Sequence, residues 1–294
     1  MIYHRVLASD DYMRADEVDE ARFEWHMELL HNFFNPLPLA VALDLQKSGD
    51  LPPASVCVTF DDGYADNVEV ALPILKKWVI PATFFISSGF LNGGRMWNDT
   101  ILESFKSLAA TEIDLSAIGM GRRSVATESE RRECAQQVID ALKHRSPEQR
   151  SAGTQFIASF ASELPDDLMM TTAQVKRLVD VGMEIGGHTV SHPILAALDG
   201  EEARREILDG KNALEELSGE TVSLFAYPNG KPGRDYTDFH KRLLPDLGFE
   251  AAVSTHWGVS TAASDIWQLP RFTPWDRNPA KFMLRMIRNY QNVQ

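Results

Sequence analysis

The sequence predicts an α/β fold, a largely parallel sheet or barrel of βα units interrupted by a helical insertion over residues 99–167. Three observations predict it. Short apolar runs recur along the chain, amphipathic stretches of helical spacing separate them, and residues 99–167 carry few strand signals. A length of 294 residues allows one large α/β domain, and we read 1–294 as a single domain carrying that insertion.

The elements follow in order. Phe23–Leu45 reads as helical. Ser55–Phe60 is the first clear strand, followed by the amphipathic stretch Val70–Trp78 and a second strand, Ala82–Ile86. Inside the insertion, Glu128–His144 and Glu148–Leu164 carry apolar residues at spacings of three and four, as helices do. Met183–Gly187, Val222–Tyr227 and Phe249–Ser254 are further strands, with Glu201–Leu217 and Phe239–Leu247 as the helices between them. A late strand ends at Arg271, and the short apolar start of the chain closes at His4. Strands that alternate with helices pair in parallel. In such folds the chemistry sits at the C-terminal ends of the strands.

Composition narrows the function. Hydrophobic residues make up 44%, enough for a sizeable core. The formal net charge is −13, from 29 basic and 42 acidic residues. That charge repels nucleic-acid phosphates, so no nucleic-acid partner is expected. No stretch approaches the ~20 apolar residues of a membrane span, and the first residues hold no apolar signal core. A cytoplasmic location is the expectation for the sequence as given, with a trimmed exported form as the alternative. The two cysteines, Cys57 and Cys134, do not make a disulfide framework.

Polar residues cluster at three predicted strand ends. The first strand runs into Asp61-Asp62-Gly63, two adjacent carboxylates and a glycine that permits a sharp turn. One carboxylate can bind a metal while the other takes a proton, although the triplet alone also fits a plain turn. After Met183–Ile185 comes Gly186-Gly187-His188-Thr189-Val190-Ser191-His192-Pro193. Two histidines four apart can chelate one ion, and Pro193 favours a strand-end loop over a long helix. Two imidazoles and a carboxylate with open positions make a hydrolytic metal site. The third cluster is Tyr227-Pro228-Asn229-Gly230, a turn whose backbone N–H groups could stabilise an oxyanion.

Together these residues resemble the polysaccharide deacetylases with a NodB-homology domain, carbohydrate esterase family four. Thr59–Gly63 matches the family's Thr-Phe-Asp-Asp-Gly motif, and His188–His192 its His-Ser/Thr-x-x-His motif. Phe225–Gly230 is similar to the third motif, and the likeness extends to Tyr3–Val6, Pro81–Phe85, Met96–Asp99 and Leu269–Phe272. The resemblance implies a distorted (β/α)7 barrel and a metal-dependent hydrolase that removes acetyl groups from N-acetylated amino-sugar polymers. By that resemblance Asp61 is the catalytic base. Asp62, His188 and His192 hold one divalent ion, zinc or else cobalt, nickel, iron or manganese. Tyr227, Pro228 and Asn229 line the oxyanion and substrate site. The form of the third motif is similar to the branch acting on exported poly-N-acetylglucosamine.

The sequence departs from the family twice. Ala226 stands where the third motif has an arginine that orients the base, and no aspartate partner for that arginine is found near Ala251–Val259. Arg271 is the candidate replacement. The general-acid histidine expected near the C-terminus is also missing, since Phe282–Gln294 contains none. His4 and His256 are candidates by chemistry alone. Tyr64, Trp97, Trp257 and Trp275 could stack on sugar rings. Alternatives remain a deformylase or other non-peptide amide hydrolase on a small molecule, and an inactive glycan-binding module.

Overall fold

The computed structural model describes residues 1–291. The chain forms two compact units, one of Met1–Ser9, Glu17–Asn92 and Met169 onward, the other of Asp10–Asp16 and Gly93–Leu168.

The first unit is built on a seven-stranded sheet of β1 (Ile2–Tyr3), β2 (Val58–Phe60), β3 (Ala82–Ile86), β4 (Glu184–Gly187), β5 (Leu224–Ala226), β6 (Ala251–Trp257) and β7 (Leu269–Arg271), adjacent in that order. Every pairing is parallel. Beyond the end of β7, the Phe272 carbonyl accepts from the Ile2 N–H at 3.0 Å. The first and last strands therefore meet, and the sheet is a nearly closed, distorted barrel.

Alternation along the strands separates two layers of core. Val58, Phe60, Ala82 and Phe84 join the outer apolar layer with the helices, and Phe60 stacks on Phe84 at 4.7 Å. Phe85, Leu224, Ala226, Val253 and Leu269 form a separate inner cluster with Leu39 and Leu43. The helix Leu39–Ser48 thus packs against the barrel's inward side chains. Its start is capped by Glu184, whose carboxylate accepts from the N–H groups of Leu39 at 2.8 Å and Ala40 at 3.1 Å. A carboxylate at a helix N-terminus satisfies orphan donors and complements the helix dipole.

The helical expectation for Phe23–Leu45 is corrected: Glu20–Phe33 and Leu39–Ser48 are two helices. Pro36 and Pro38 lie in the break. Each lacks a backbone donor, and each disfavours helix in the residue before it. Among the described residues no helix is long and apolar enough to cross a membrane.

The second unit contains the helices Trp97–Ser107, Glu128–Lys143 and Pro147–Ala158. It also holds an antiparallel hairpin, Glu112–Asp114 with Arg122–Ser124, which the helical reading of 99–167 did not include. Its own core gathers Ile101, Phe105, Leu115, Val138, Leu142 and Ile157. Arg14 is buried in it among Asp11, Asp99 and Glu103, at 3.2, 2.9 and 2.6 Å.

Candidate metal centre

Parallel pairing puts the C-terminal ends of all seven strands at one end of the barrel. Asp61 and Asp62 directly follow β2, His188 follows β4, and Tyr227 to Asn229 follow β5. The backbone is unusual here. Asp62, Thr189, His192 and Asn229 are four of the seven described non-glycine residues with positive φ. Such conformations cost of order 1–3 kcal/mol each and cluster at functional sites. Gly63, at φ +91°, completes the first turn, and a Cβ there would lie 2.9 Å from the Ile86 side chain.

Asp62, His188 and His192 come together. Asp62 Oδ1 lies 3.2 Å from His188 Nε2 and 3.3 Å from His192 Nε2. The same oxygen is buried and makes no hydrogen bond. Ligands bonded to one ion at about 2.0–2.1 Å in tetrahedral geometry stand roughly 3.3 Å apart. The two carboxylate–imidazole spacings are those of ligands around a common centre. These donors fit a divalent cation, and all three ligand atoms lie within 4.8 Å of one another. His188 Nδ1 donates to the Ala226 carbonyl at 2.7 Å, which leaves Nε2 as the free lone pair.

Electrostatics favour the ligating forms of Asp62 and His192. Burial disfavours the Asp62 anion, but His192 and His188 outweigh it and hold the carboxyl far below its usual range. For His192, burial and the neighbouring His188 push the pKa down to about 4, so the ring is neutral near pH 7. His188 behaves oppositely. Burial lowers it, but the adjoining Asp62 carboxylate and the charge of Asp61 hold it above the ordinary imidazole value.

Asp61 is buried beside the three ligands, and Arg271 grips it. Nη1 donates to Oδ1 at 2.7 Å and Nη2 to Oδ2 at 2.6 Å. Nη1 also donates to Thr59 Oγ1 at 2.8 Å, and Nε to the Ser254 carbonyl at 3.0 Å. Arg271 therefore meets the carboxylate that the missing third-motif arginine would have met, while Ala226 is buried at the end of β5. Burial would raise the Asp61 pKa, but Arg271 outweighs it and the group stays anionic.

His4, just past the end of β1, is an electrostatic neighbour of Asp61, Asp62 and His192. Two residues that the sequence reading missed hold its segment. Asn67 Nδ2 donates to the His4 carbonyl at 2.9 Å, and Asp66 accepts from Arg5 Nε at 2.6 Å and from the Val6 N–H at 3.2 Å. Asn67 opens a π-helical turn, Asn67–Ala71, that runs into Leu72–Lys77. Their only signal was proximity to the Asp-Asp-Gly motif. Glu17, also missed, faces His4 and Asp66, and burial pushes its carboxyl pKa up.

Other expected site residues fall elsewhere. The Tyr227 side chain is fully buried, donates to the Trp267 carbonyl at 2.8 Å and stacks on Tyr236 at 3.7 Å. Its ring is therefore part of the core. Pro228 is buried, and Asn229 is half-buried at φ +60°. Tyr64 is buried under Arg5, not free to stack on a sugar. Trp97 begins a helix of the second unit, with Arg150 over its ring at 5.5 Å. Trp257 and Trp275 remain 41% and 50% exposed, 4.6 Å apart, and His256 is exposed near the end of β6.

A parallel barrel with carboxylates and imidazoles at its strand ends defines a class of candidate hydrolase. Residues 48–252 match the sequence profile of the polysaccharide deacetylase family, and the chain belongs to that family. Among curated proteins it is 23% identical over 274 residues to YxkH of Bacillus subtilis (strain 168), which carries a polysaccharide deacetylase name. That match covers 92% of this chain and 69% of YxkH. Among solved structures it is similar to the deacetylase PplD of Streptococcus pyogenes, with TM-score 0.66, 20% identity, and coverage of 97% and 96% of the two chains. It is also similar to IcaB of Ammonifex degensii, with TM-score 0.58, 20% identity, and coverage of 97% and 94%. At these identities the structural likeness is one of fold.

Proposed function

We propose that the chain is a metal-dependent deacetylase that releases acetate from N-acetylated amino-sugar polymers. The observation that carries this reading is the convergence of Asp62, His188 and His192 beside the buried Asp61–Arg271 pair. A divalent ion held there, zinc or a related transition metal, would supply Lewis acidity toward the acetyl carbonyl and the attacking water. The chain's own groups do the rest. Asp61, anionic and fixed by Arg271, takes the proton of the water. A backbone N–H near Asn229, at the end of β5, faces the developing oxyanion. His4, clamped through Asn67, returns a proton to the departing amine nitrogen, the role left open by the missing C-terminal histidine.

A glycan substrate fits the rim. Trp257, at the end of β6, is the register partner of Arg271, and its ring lies 4.6 Å from that of Trp275 in the segment after β7, so two half-exposed indoles stand together near the arginine. Such faces suit the C–H faces of pyranose rings.

The test is acetate release from N-acetylglucosamine oligomers by zinc-reconstituted protein, beside an Asp61→Asn control. Release that disappears in the control supports the reading. Release only from small formamides or cyclic ureides would move it to the other amide hydrolases. Tight oligomer binding without release, at full metal occupancy, would make the chain a binding module.

A further inference from the structure

The loop His188–His192 holds two ligands of the proposed metal centre in a strained shape. Thr189 has φ +66° and His192 φ +53°. A β-branched residue such as threonine does not adopt that region without constraint. The loop must therefore be held from outside.

Its backbone groups are accounted for on two sides. Its carbonyls face the end of β3, where the His188 oxygen accepts from Ser87 Oγ at 2.9 Å, Thr189 from the Ser88 N–H at 3.2 Å and Val190 from the Gly89 N–H at 2.9 Å. Its N–H groups face the helix Gly200–Ser218. There the Glu206 carboxylate accepts from the Val190 N–H at 3.0 Å, the Ser191 N–H at 2.8 Å and Ser191 Oγ at 2.7 Å. The His192 N–H donates within the loop, to Thr189 Oγ1 at 3.1 Å. One turn further along the same helix, a Cβ on Gly210 would lie 2.8 Å from the Thr189 backbone, so the loop can seat only against a glycine.

We infer that Glu206 is a positioning residue for the metal centre: its carboxylate imposes the loop conformation in which His188 and His192 both face Asp62. The inference rests on the metal-site reading above. Three bonds from one carboxylate fix two successive peptides between the histidines, and bonds to an ionised acceptor are the strong ones. Without them the strained loop relaxes and the two imidazoles lose their common focus. Groups of this kind, behind the ligands, typically govern metal affinity by 10–100-fold.

The experiment is zinc affinity of the full chain, measured by competition with a chromophoric chelator, together with the melting temperature of the metal-free protein. E206A is expected to weaken zinc binding by about 10–100-fold. E206Q should stay close to the parent, because its amide oxygen accepts from both N–H groups and its amide nitrogen can donate to Ser191 Oγ. E206D keeps the charge but is one methylene shorter, and should lose affinity as E206A does. If E206A does not fold, the contrast between E206Q and E206D carries the test. Parent affinity in E206D and E206A, even with lowered melting, would overturn the inference and leave Glu206 a structural residue. D62N separates the two readings. If D62N binds zinc as the parent does, the metal centre itself is wrong, whereas loss in D62N with no loss in E206A removes only the role of Glu206.

Discussion

Arg271 and Asp61 lie 210 positions apart in the chain, yet the guanidinium closes on both carboxylate oxygens at 2.7 and 2.6 Å inside the barrel. Barrel closure makes this possible, since β7 meets β1 and β1 pairs with β2, which ends at Asp61. Arginine suits the task because its planar fork matches a carboxylate in two places.

Removing that partner has a predictable cost. R271M leaves a buried carboxylate uncompensated and should destabilise the fold by about 3–5 kcal/mol at pH 7, read by urea unfolding. The sign follows from the direction of the shift. The folded Asp61 pKa lies below the unfolded value of about 3.9, so the pair's contribution is full above that value and is lost as pH falls through the folded pKa. In R271M the Asp61 pKa should rise, and the acid limb of any acetate-releasing activity should move toward neutral pH. R271K restores the charge but not the two-armed grip, and should recover stability better than activity. An unchanged pH profile in R271M would disprove the positioning role.

Metal affinity should depend on pH in two stages. Ligands must be deprotonated to bind. His188 is held above the ordinary imidazole value, so a proton competes with zinc there first as pH falls. His192 does not compete until about pH 4, and Asp62 only far below that. The logarithm of zinc affinity should therefore fall with a one-proton slope through the mildly acidic range and steepen near pH 4. Saturating zinc at about 100 times its Kd should add roughly 2.7 kcal/mol of stability, a gain absent in D62N and H192A. A two-proton slope beginning above pH 6 would contradict the assignment of these two histidines.

His4 carries a prediction separable from the metal. H4A should bind zinc as the parent does, while acetate release from oligomers falls by about 10²–10⁴, the range for a lost general acid. 4-Nitrophenyl acetate, whose leaving group departs without a proton, should be cleaved nearly as fast by H4A as by the parent. An equal defect on both substrates would make His4 structural.

How much of this was legible in the sequence depended on the range of the signal. Asp61, Asp62, His188 and His192 stand in two short runs directly after apolar strands, so local pattern located them. Arg271 carried only its place after Leu269-Pro270, because its partner is supplied by barrel closure. For Tyr227 the local pattern did not show where the ring goes. The residue adjoins the Pro228–Asn229 turn, but the end of a strand alternates, and its ring belongs to the layer with Tyr236. The hairpin at Glu112–Asp114 and Arg122–Ser124 gave no strand pattern because nearly every residue in it is exposed. Asp66 and Asn67 act through backbone groups far away in sequence, and an acidic or amide side chain near a helix start reads first as a cap, while Glu206, within the helix Gly200–Ser218, reads as one more charged residue of an amphipathic helix.

The exposed indoles give the prediction that bears on substrate. Trp257 packs edge-on against Phe272 and lies 4.6 Å from Trp275. Arg285 lies 4.5 Å from the Trp275 ring centre and is itself fixed by Asp276 at 2.5 and 3.0 Å. Aromatic surface braced in this way loses little freedom on binding, which favours affinity. A polymer lying across the rim could place one ring on this pair while a neighbouring unit reaches Asp61. W275A and W257A should therefore raise KM for N-acetylglucosamine pentamers and hexamers, leave kcat near the parent value, and leave short substrates and zinc affinity untouched. In D61N, which holds substrate without turning it over, hexamer should quench the tryptophan fluorescence, and W275A should lose most of that change. The two readouts diverge usefully. Hexamer binding that ignores both tryptophans would move the glycan to another part of the rim, and equal KM changes on monomer and hexamer would mean that the substitutions disturb β6 and β7, and with them Arg271.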